Sequence, residues 1–511
     1  MFWFYVIFGV VVFIYSYFHY SYMYWLELRV PSLSPEFPFG DMKDPILRRQ
    51  CMGEKIKEIY DFGTKHWYNY IGLYFFSRKV FLPIDPELIK NILVKDFNYF
   101  SDRGIHYDEK YDPLSAHLFS IAGPKWKNLR AKLTPAYSPV KIKGMFDIMY
   151  KCAHEMMLLV GEIAMSGRPV DIKEIMARYS TDVIGCCAFG LDCNTMRDPD
   201  AEFRKMGKRA FTQTVGDLLK MVVIRSFPFL ARLFGIGVFP KDVTEFFRRV
   251  VRETIEYREK NNVTRTDFMQ LLVQLKQKGK VDEDTPTEEQ KSETEPGTAL
   301  TIDEAAAQAF IFFLAGFETT STTTSFALFE LSINFMYREK ARKEISAVLE
   351  KYNGTMTYDA LMEMKYLDQI ISETLRKYPP APVFLRVCTK RYPIPDTDAY
   401  IEKGQSVLIP CYGLHRDDRY WHEPDIFDPE RFSEKNKDKI VDGTYIPFGA
   451  GPRNCIGIRF ALVQAKIALA LFLMNFDFDL SPRTKLPLKM ETKGIILSPI
   501  GGLWLRVNPI D

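Results

Sequence analysis

From Ile302 to Asn334 apolar side chains recur at helical spacing through 33 residues. At 1.5 Å per residue an unbroken helix there spans about 50 Å. A rod of that length traverses the whole body of an ordinary domain, so the remaining elements must pack around it. Thr301 and Glu304 supply a capping-box pattern at its start. Its middle, Ala315-Gly316-Phe317-Glu318-Thr319-Thr320, suits a buried helix poorly. Glycine in a helix interior costs about 1 kcal/mol relative to alanine, and an acid beside two threonines needs partners or a job. Ala315, Gly316 and Thr319 share a face, leaving room beside a hydroxyl for a ligand the size of dioxygen. The plainer alternative is close helix packing at Gly316 and a Thr319 hydroxyl bonded back to its own backbone.

Further amphipathic patterns run from Lys143 to Met165, Lys173 to Ala188, Lys241 to Glu259, Tyr337 to Lys351, Tyr366 to Tyr378 and Arg459 to Leu473. Short β-like pieces lie at Trp67 to Phe76, Phe384 to Cys388, Ser406 to Pro410 and Leu503 to Val507. The expected class is predominantly α with a small β region. Lys276 to Gly297, rich in Lys, Glu, Asp and Thr, reads as a solvated insertion and not a domain boundary. A net charge of +3 with the cations spread along the chain gives no case for nucleic-acid binding.

Met1 to Leu26 contains no Asp, Glu, Lys or Arg and is crowded with aromatic and branched residues. It reads as a membrane anchor, since it has no basic leader or small-residue cleavage site. Pro31, Pro35, Pro38 and Gly40 then suggest a stiff spacer, and no later span looks comparably apolar. The expected division is an anchor over 1–26, a proline-rich hinge over 27–40 and one catalytic body over 41–511. Arg29, Lys43, Arg48 and Arg49 favour a cytosolic body. On that orientation the acceptor patterns at Asn262 and Asn353 stay unglycosylated.

Eight cysteines show neither finger spacing nor a disulfide framework. Cys455 stands apart, in Phe448-Gly449-Ala450-Gly451-Pro452-Arg453-Asn454-Cys455-Ile456-Gly457 directly before a helical pattern. Glycines permit the tight loop, and the helix start aims free N–H groups at the sulfur, favouring a thiolate. One thiolate without a second cysteine cannot build a zinc or iron–sulfur site, but it can be the axial ligand of a haem. Glu373 and Arg376, three apart on a helix, allow an ion pair that Arg431 could complete as a structural network.

The tryptophan helix motif at Trp126, Ala315-Gly316-Phe317-Glu318-Thr319, the Glu373-x-x-Arg376 pair, the turn Pro429-Glu430-Arg431-Phe432 and the cysteine loop, in that order along the chain, closely resemble the cytochrome P450 family over nearly the whole chain. Lys132-Leu133-Thr134-Pro135, Phe312 to Thr324, Tyr378 to Arg386 and Gly413-Leu414-His415-Arg416-Asp417 are similar to its insect microsomal detoxification branch, family six. The resemblance implies that fold with an N-terminal anchor, a b-type haem (heme b) and Cys455 as the iron ligand. It makes Thr319 and Glu318 the oxygen-activating and proton-delivering pair. It assigns Arg103, Trp126, Arg130, Arg386 and Arg453 to the haem propionates, with Phe448 also against the cofactor. Two positions depart from the family's pattern: Ala450, where relatives often carry an acid, and His422, where proline is usual.

The implied reaction is a monooxygenation in an endoplasmic reticulum membrane, with the body on the cytosolic side. One oxygen atom enters a lipophilic molecule such as a xenobiotic, insecticide, plant toxin, hormone or fatty acid, and the other leaves as water. No Gly-x-Gly-x-x-Gly follows a strand, so electrons come in trans. The resemblance implies NADPH-cytochrome P450 reductase, with cytochrome b5 as an auxiliary donor. Lys125, Lys127, Lys132, Lys340, Arg342, Lys343 and Arg459 offer a basic face for such a donor. The pocket expectation names Ile105, Tyr107, Leu118, Phe119, Phe310, Phe313, Ala315, Val383 and Phe384. Two other classes remain open: a haem-thiolate isomerase or dehydratase needing no external electrons, and a non-catalytic haem or ligand-binding membrane protein.

Overall fold

The central helix forms where its pattern places it, over Ile302–Ile333, in a computed structural model that describes residues 1–211, 216–217, 220, 223–224, 228–280 and 299–510. Both halves of the capping box are made. Glu304 N–H donates to Thr301 Oγ1 at 3.1 Å, and Thr301 N–H donates to Glu304 Oε2 at 2.9 Å. Its hydroxyl-rich second half tolerates burial because Thr323, Thr324 and Ser325 donate back to the carbonyls of Thr319, Thr320 and Ser321. Around it pack the helices Ile172–Ile184, Lys241–Asn261, Lys365–Lys377 and Ile458–Asn475. The fold is predominantly α with a small β region, as expected.

Beside the helices lies a four-stranded sheet in the order Tyr70–Phe75, Arg78–Pro83, Ser406–Ile409, Phe384–Val387. The middle pair is parallel and the outer pairs antiparallel. A second sheet joins Val170–Asp171, Trp504–Pro509 and Phe476–Leu480. The helices Met52–Lys65 and Phe268–Lys278 and the strands Arg78–Pro83 and Phe476–Leu480 were not anticipated. Of the expected insertion Lys276 to Gly297, residues 281–297 lie outside the described residues, and its first residues are not loop, since Lys276, Gln277 and Lys278 end the helix Phe268–Lys278.

At the N-terminus an exposed helix runs over Phe2–Tyr22, and the stretch Phe2–Glu27 is long and apolar enough to cross a membrane. Two expectations change here. Ile458–Asn475 is also long and apolar enough, but 67% of it is buried, which makes it a core helix. The proline-rich segment is not a free spacer. Trp25 is fully buried, its indole N–H donates to Leu73 O at 3.0 Å, and a side chain at Gly72 would collide with its ring. Ser32 and Gly40 bridge to Gly72 and Phe75. The chain therefore docks on the first strand as soon as the exposed helix ends.

Candidate active site

The cysteine loop owes its shape to two left-handed glycines, Gly449 (φ 72°) and Gly451 (φ 69°). At Gly451 any side chain would also collide with the carbonyl of Leu93. Cys455 N–H donates to Phe448 O at 2.9 Å and closes the loop before Ile458–Asn475 begins. Of the eight cysteines only Cys455 is exposed, yet surrounding protein desolvates it and raises its thiol above the ordinary range. The two facts agree if the side chain faces an interior hollow and not bulk solvent. The Gly457 N–H and the guanidinium groups of Arg130 and Arg103 pull the other way. Binding a metal ion would deprotonate the sulfur outright.

Four arginines converge on this loop. Arg130 donates to Asn454 O and Asn454 Oδ1, both at 3.0 Å, and Arg103 donates to Arg453 O at 2.9 Å. Arg453 donates to Ser101 O at 2.6 Å and Ile121 O at 2.9 Å, with its guanidinium 4.0 Å from the Trp126 ring centroid. Arg386 is buried on the strand Phe384–Val387. Two donors stay unmatched in the interior, Arg386 Nε and Arg453 Nη1. Burial pushes Arg386 and Arg453 down to about 10, and burial followed by repulsion from Arg386, Arg453 and Arg130 holds Arg103 well below its usual range. Asp102, 3.4 Å from Arg453, is the one carboxylate paired with any of the four among the described residues. Such an excess of buried positive charge calls for an anionic partner.

The central helix presents Ala315 exposed, with Gly316, Glu318 and Thr319 half-buried and Phe317 and Thr320 buried. Contact with the cysteine loop runs through Tyr137, whose ring lies 5.6 Å from Phe312 and whose Cε1 stands 3.6 Å from where a Cβ at Gly457 would sit. The Thr319 hydroxyl donates to Ala315 O at 2.6 Å. Gly316 does not widen the Thr319 face. A Cβ there would stand 2.9 Å from Ile184 Cγ1, so the glycine serves close approach of the neighbouring helix. Glu318 also points toward that helix, paired with Lys173 at 2.6 Å, and Lys173 further donates to Thr322 at 2.8 Å and Ser321 at 3.2 Å.

Glu373, Arg376 and Arg431 do come together. Arg376 grips both carboxylate oxygens of Glu373 at 2.7 Å, and both side chains are fully buried. Arg431 lies 3.4 Å from Glu373, whose carboxylate also accepts Asp428 N–H at 2.9 Å. Arg376 donates onward to His415 O at 2.9 Å. Burial pushes His415 down to about 3, and its neutral Nε2 accepts Ile446 N–H at 2.9 Å, just ahead of the cysteine loop. The network thus pins the segment that carries Cys455.

The expected pocket residues divide. Ala315 and Phe119 have open surface, and Phe119 lies 4.1 Å under Arg103. Ile105, Tyr107, Val383 and Phe384 are half-buried. Phe310 and Phe313 belong elsewhere: both are fully buried, 4.9 and 5.4 Å from the ring of Phe247 on the helix Lys241–Asn261. Leu118 is core as well. Spacing alone could not tell which face of so apolar a helix meets another helix. Leu385, 41% exposed between half-buried Phe384 and buried Arg386, is a lining candidate missed in the sequence because it breaks no pattern. Asn454 and Asp102 were missed too, although each adjoins a named arginine. On the basic face, Lys125 pairs with Glu109, Lys340 with Glu430, and Arg342 donates to Leu473 O and Phe476 O, whereas Lys127, Lys343 and Arg459 are exposed without an ion-pair partner among the described residues. His422 is 91% exposed at the surface and is no second iron ligand.

Comparison with known proteins bears on the whole arrangement. The cytochrome P450 family matches residues 47–506. Cytochrome P450 6a2 of Drosophila melanogaster is 41% identical over 498 residues, covering 96% of each chain. Cytochrome P450 6a9 of the same fly is 39% identical over 495 residues, covering 95% of each, and cytochrome P450 6k1 of Blattella germanica is 38% identical over 497, covering 96% of this chain and 94% of the relative. A haem fits the residues present. Its two propionates would meet the buried arginine excess, including the unmatched Arg386 Nε and Arg453 Nη1, and a lone interior thiol would meet its iron. By loop, charge and likeness along its length, the chain belongs to the cytochrome P450 family, whose members are haem-thiolate monooxygenases, and it groups with the insect members of family six.

Proposed function

We propose that this chain is a membrane-anchored, NADPH-dependent monooxygenase of lipophilic small molecules, with Cys455 as the axial ligand. The carrying observation is that Cys455 is the one exposed cysteine of the eight, the others being buried or half-buried, while four arginines surround its loop. Haem held on the Cys455 thiolate supplies reductive activation of dioxygen. Arg103, Arg130, Arg386 and Arg453, with Trp126, orient it through its propionates. Thr319 offers the site a hydroxyl that can let go of Ala315 O to hold a proton donor in place. Glu318, tied to Lys173, reaches the site only by rotating its side chain or through water. Ala315, Phe119, Ile105, Tyr107, Val383, Phe384 and Leu385 give an apolar lining suited to hydrophobic substrates.

Electrons come from NADPH through cytochrome P450 reductase, assisted by cytochrome b5. Lys127, Lys343 and Arg459 are exposed cations of the docking face without an ion-pair partner among the described residues. The exposed helix Phe2–Tyr22 anchors the chain in the endoplasmic reticulum with the body in the cytosol. Reconstitution with reductase and a panel of lipophilic compounds tests the reading. Product formation that requires NADPH supports it, and turnover without NADPH would favour an isomerase or dehydratase. A glycosidase-sensitive mass shift at Asn262 or Asn353 would overturn the orientation.

A further inference from the structure

The segment after the exposed helix folds back on the first strand and leaves a notch of about 380 Å³ beside the helix Met52–Lys65. Three carboxylates line it, Glu36, Asp41 and Asp44, together with Lys43, Lys55 and the ring of Phe62. Both lysines are already matched, Lys43 by Glu36 and Lys55 by Glu58 at 2.9 Å. Asp44 meets only Arg49, at 3.9 Å. Asp41 is buried, with 9% of it exposed, and accepts Tyr74 N–H at 2.7 Å, yet among the described residues no cation pairs with it. Burial pushes it up to about 6 against the pull of the Tyr74 N–H and of Lys55. A buried carboxylate without a counter-ion, lining an open cavity, calls for a cation.

Depth in the membrane points to the source of that cation. Phe2–Tyr22, at 1.5 Å per residue, is about 31 Å long, which matches the hydrocarbon core of a bilayer. Tyr22 therefore ends the span at the edge of the headgroup layer. Tyr74 ties that edge to the notch, since its hydroxyl donates to Tyr22 O at 2.9 Å while its backbone N–H is the one Asp41 accepts. Phe37 packs on Tyr15 and Phe18 with ring centroids 5.7 and 5.1 Å apart, so helix and notch keep a fixed relation. On the reading of Phe2–Tyr22 as an anchor, we propose that the notch binds the headgroup of a phosphatidylethanolamine. Its ammonium sits on Asp41 and Asp44, and its phosphodiester turns to Lys43 and Lys55. A primary ammonium donates hydrogen bonds to carboxylates, whereas a quaternary one donates none and is held by aromatic cages. Phe62 alone does not make a cage, and three carboxylates repel the extra acid of phosphatidylserine.

Full-length, haem-loaded protein is incubated with vesicles of phosphatidylcholine, alone or with phosphatidylethanolamine or phosphatidylserine added, and recovered by flotation. After extraction in mild detergent, the lipid left on the protein is identified by mass spectrometry. Phosphatidylethanolamine should be retained in preference to the other two. Asp41→Asn, whose amide oxygen can still accept Tyr74 N–H, should cut that retention about tenfold or more, the weight of one hydrogen bond to a charged group. If Asp41→Asn yields no haem-loaded protein, the wild-type preference among the three lipids decides by itself. A chain that floats with every vesicle but retains the three lipids equally, or retains phosphatidylethanolamine unchanged in Asp41→Asn, overturns the lipid site alone. A chain that floats with none overturns the anchor and the lipid site with it.

Discussion

Lys173 holds Glu318, with Nζ 2.6 Å from Oε1, and so turns the acid next to Thr319 toward the helix Ile172–Ile184. Both side chains are mostly but not wholly buried, at 14% and 20% exposure. Lys173→Met strands the carboxylate and removes the donor to Ser321 and Thr322. The expected cost is about 2 kcal/mol, below the range for fully buried pairs because water still reaches this one. Urea midpoints check it, and Lys173→Met/Glu318→Gln should recover most of the loss.

Gly316 and Ile184 form a close helix crossing, so Gly316→Ala is expected to destabilise despite alanine's better helix propensity. Overpacking of this kind costs about 1–3 kcal/mol. Trimming the opposing branch in Gly316→Ala/Ile184→Val should return part of it. Thermal unfolding of these two variants and of Ile184→Val alone measures the coupling.

Arg376→Ala leaves the Glu373 carboxylate buried with the Asp428 N–H and, as its one cation, the more distant Arg431. A loss of about 3–5 kcal/mol is expected, enough to prevent recovery of haem-loaded protein. Arg431→Ala should cost less, since Arg376 keeps its two-pronged grip. Yield of haem per mole of purified protein distinguishes them.

Acid should destabilise the fold through its buried histidines. Unfolded, His415 and His117 take up protons near pH 6.5, whereas burial holds both neutral down to about 3 in the folded protein. The unfolded state binds more protons across that window, so each histidine removes about 1.4 kcal/mol per pH unit as pH falls through it. Asp41 and Asp112, pushed up to about 6 by burial, act in the opposite sense between about 6 and 3.8. The difference in urea stability between wild type and His415→Gln at pH 7 and pH 5 isolates the histidine contribution.

Periodicity made the central helix legible nearly to the residue, because an apolar run with a capping box admits few other folds. The glycine-bracketed Cys455 and the Glu373–Arg376 spacing were legible for a similar reason: local geometry decides both. What depended on partners distant in sequence was not legible. Gly316 read as room beside Thr319 until Ile184 lay against it, and Glu318 read as an acid in need of a partner without any sign that the partner is Lys173. Phe310 and Phe313 looked like pocket walls because nothing within their helix announces Phe247. Trp25 read as the end of an anchor, although its socket is Gly72 on a strand.

The central claim is that Cys455 is the thiolate ligand of the haem iron. It is tested most directly by the carbon monoxide difference spectrum of the reduced protein. Wild type, Cys388→Ala and Cys411→Ala should all give the thiolate-type band, and Cys455→Ala should lose it. A thiolate-type band that survives in Cys455→Ala, or that another cysteine substitution abolishes, would contradict the account.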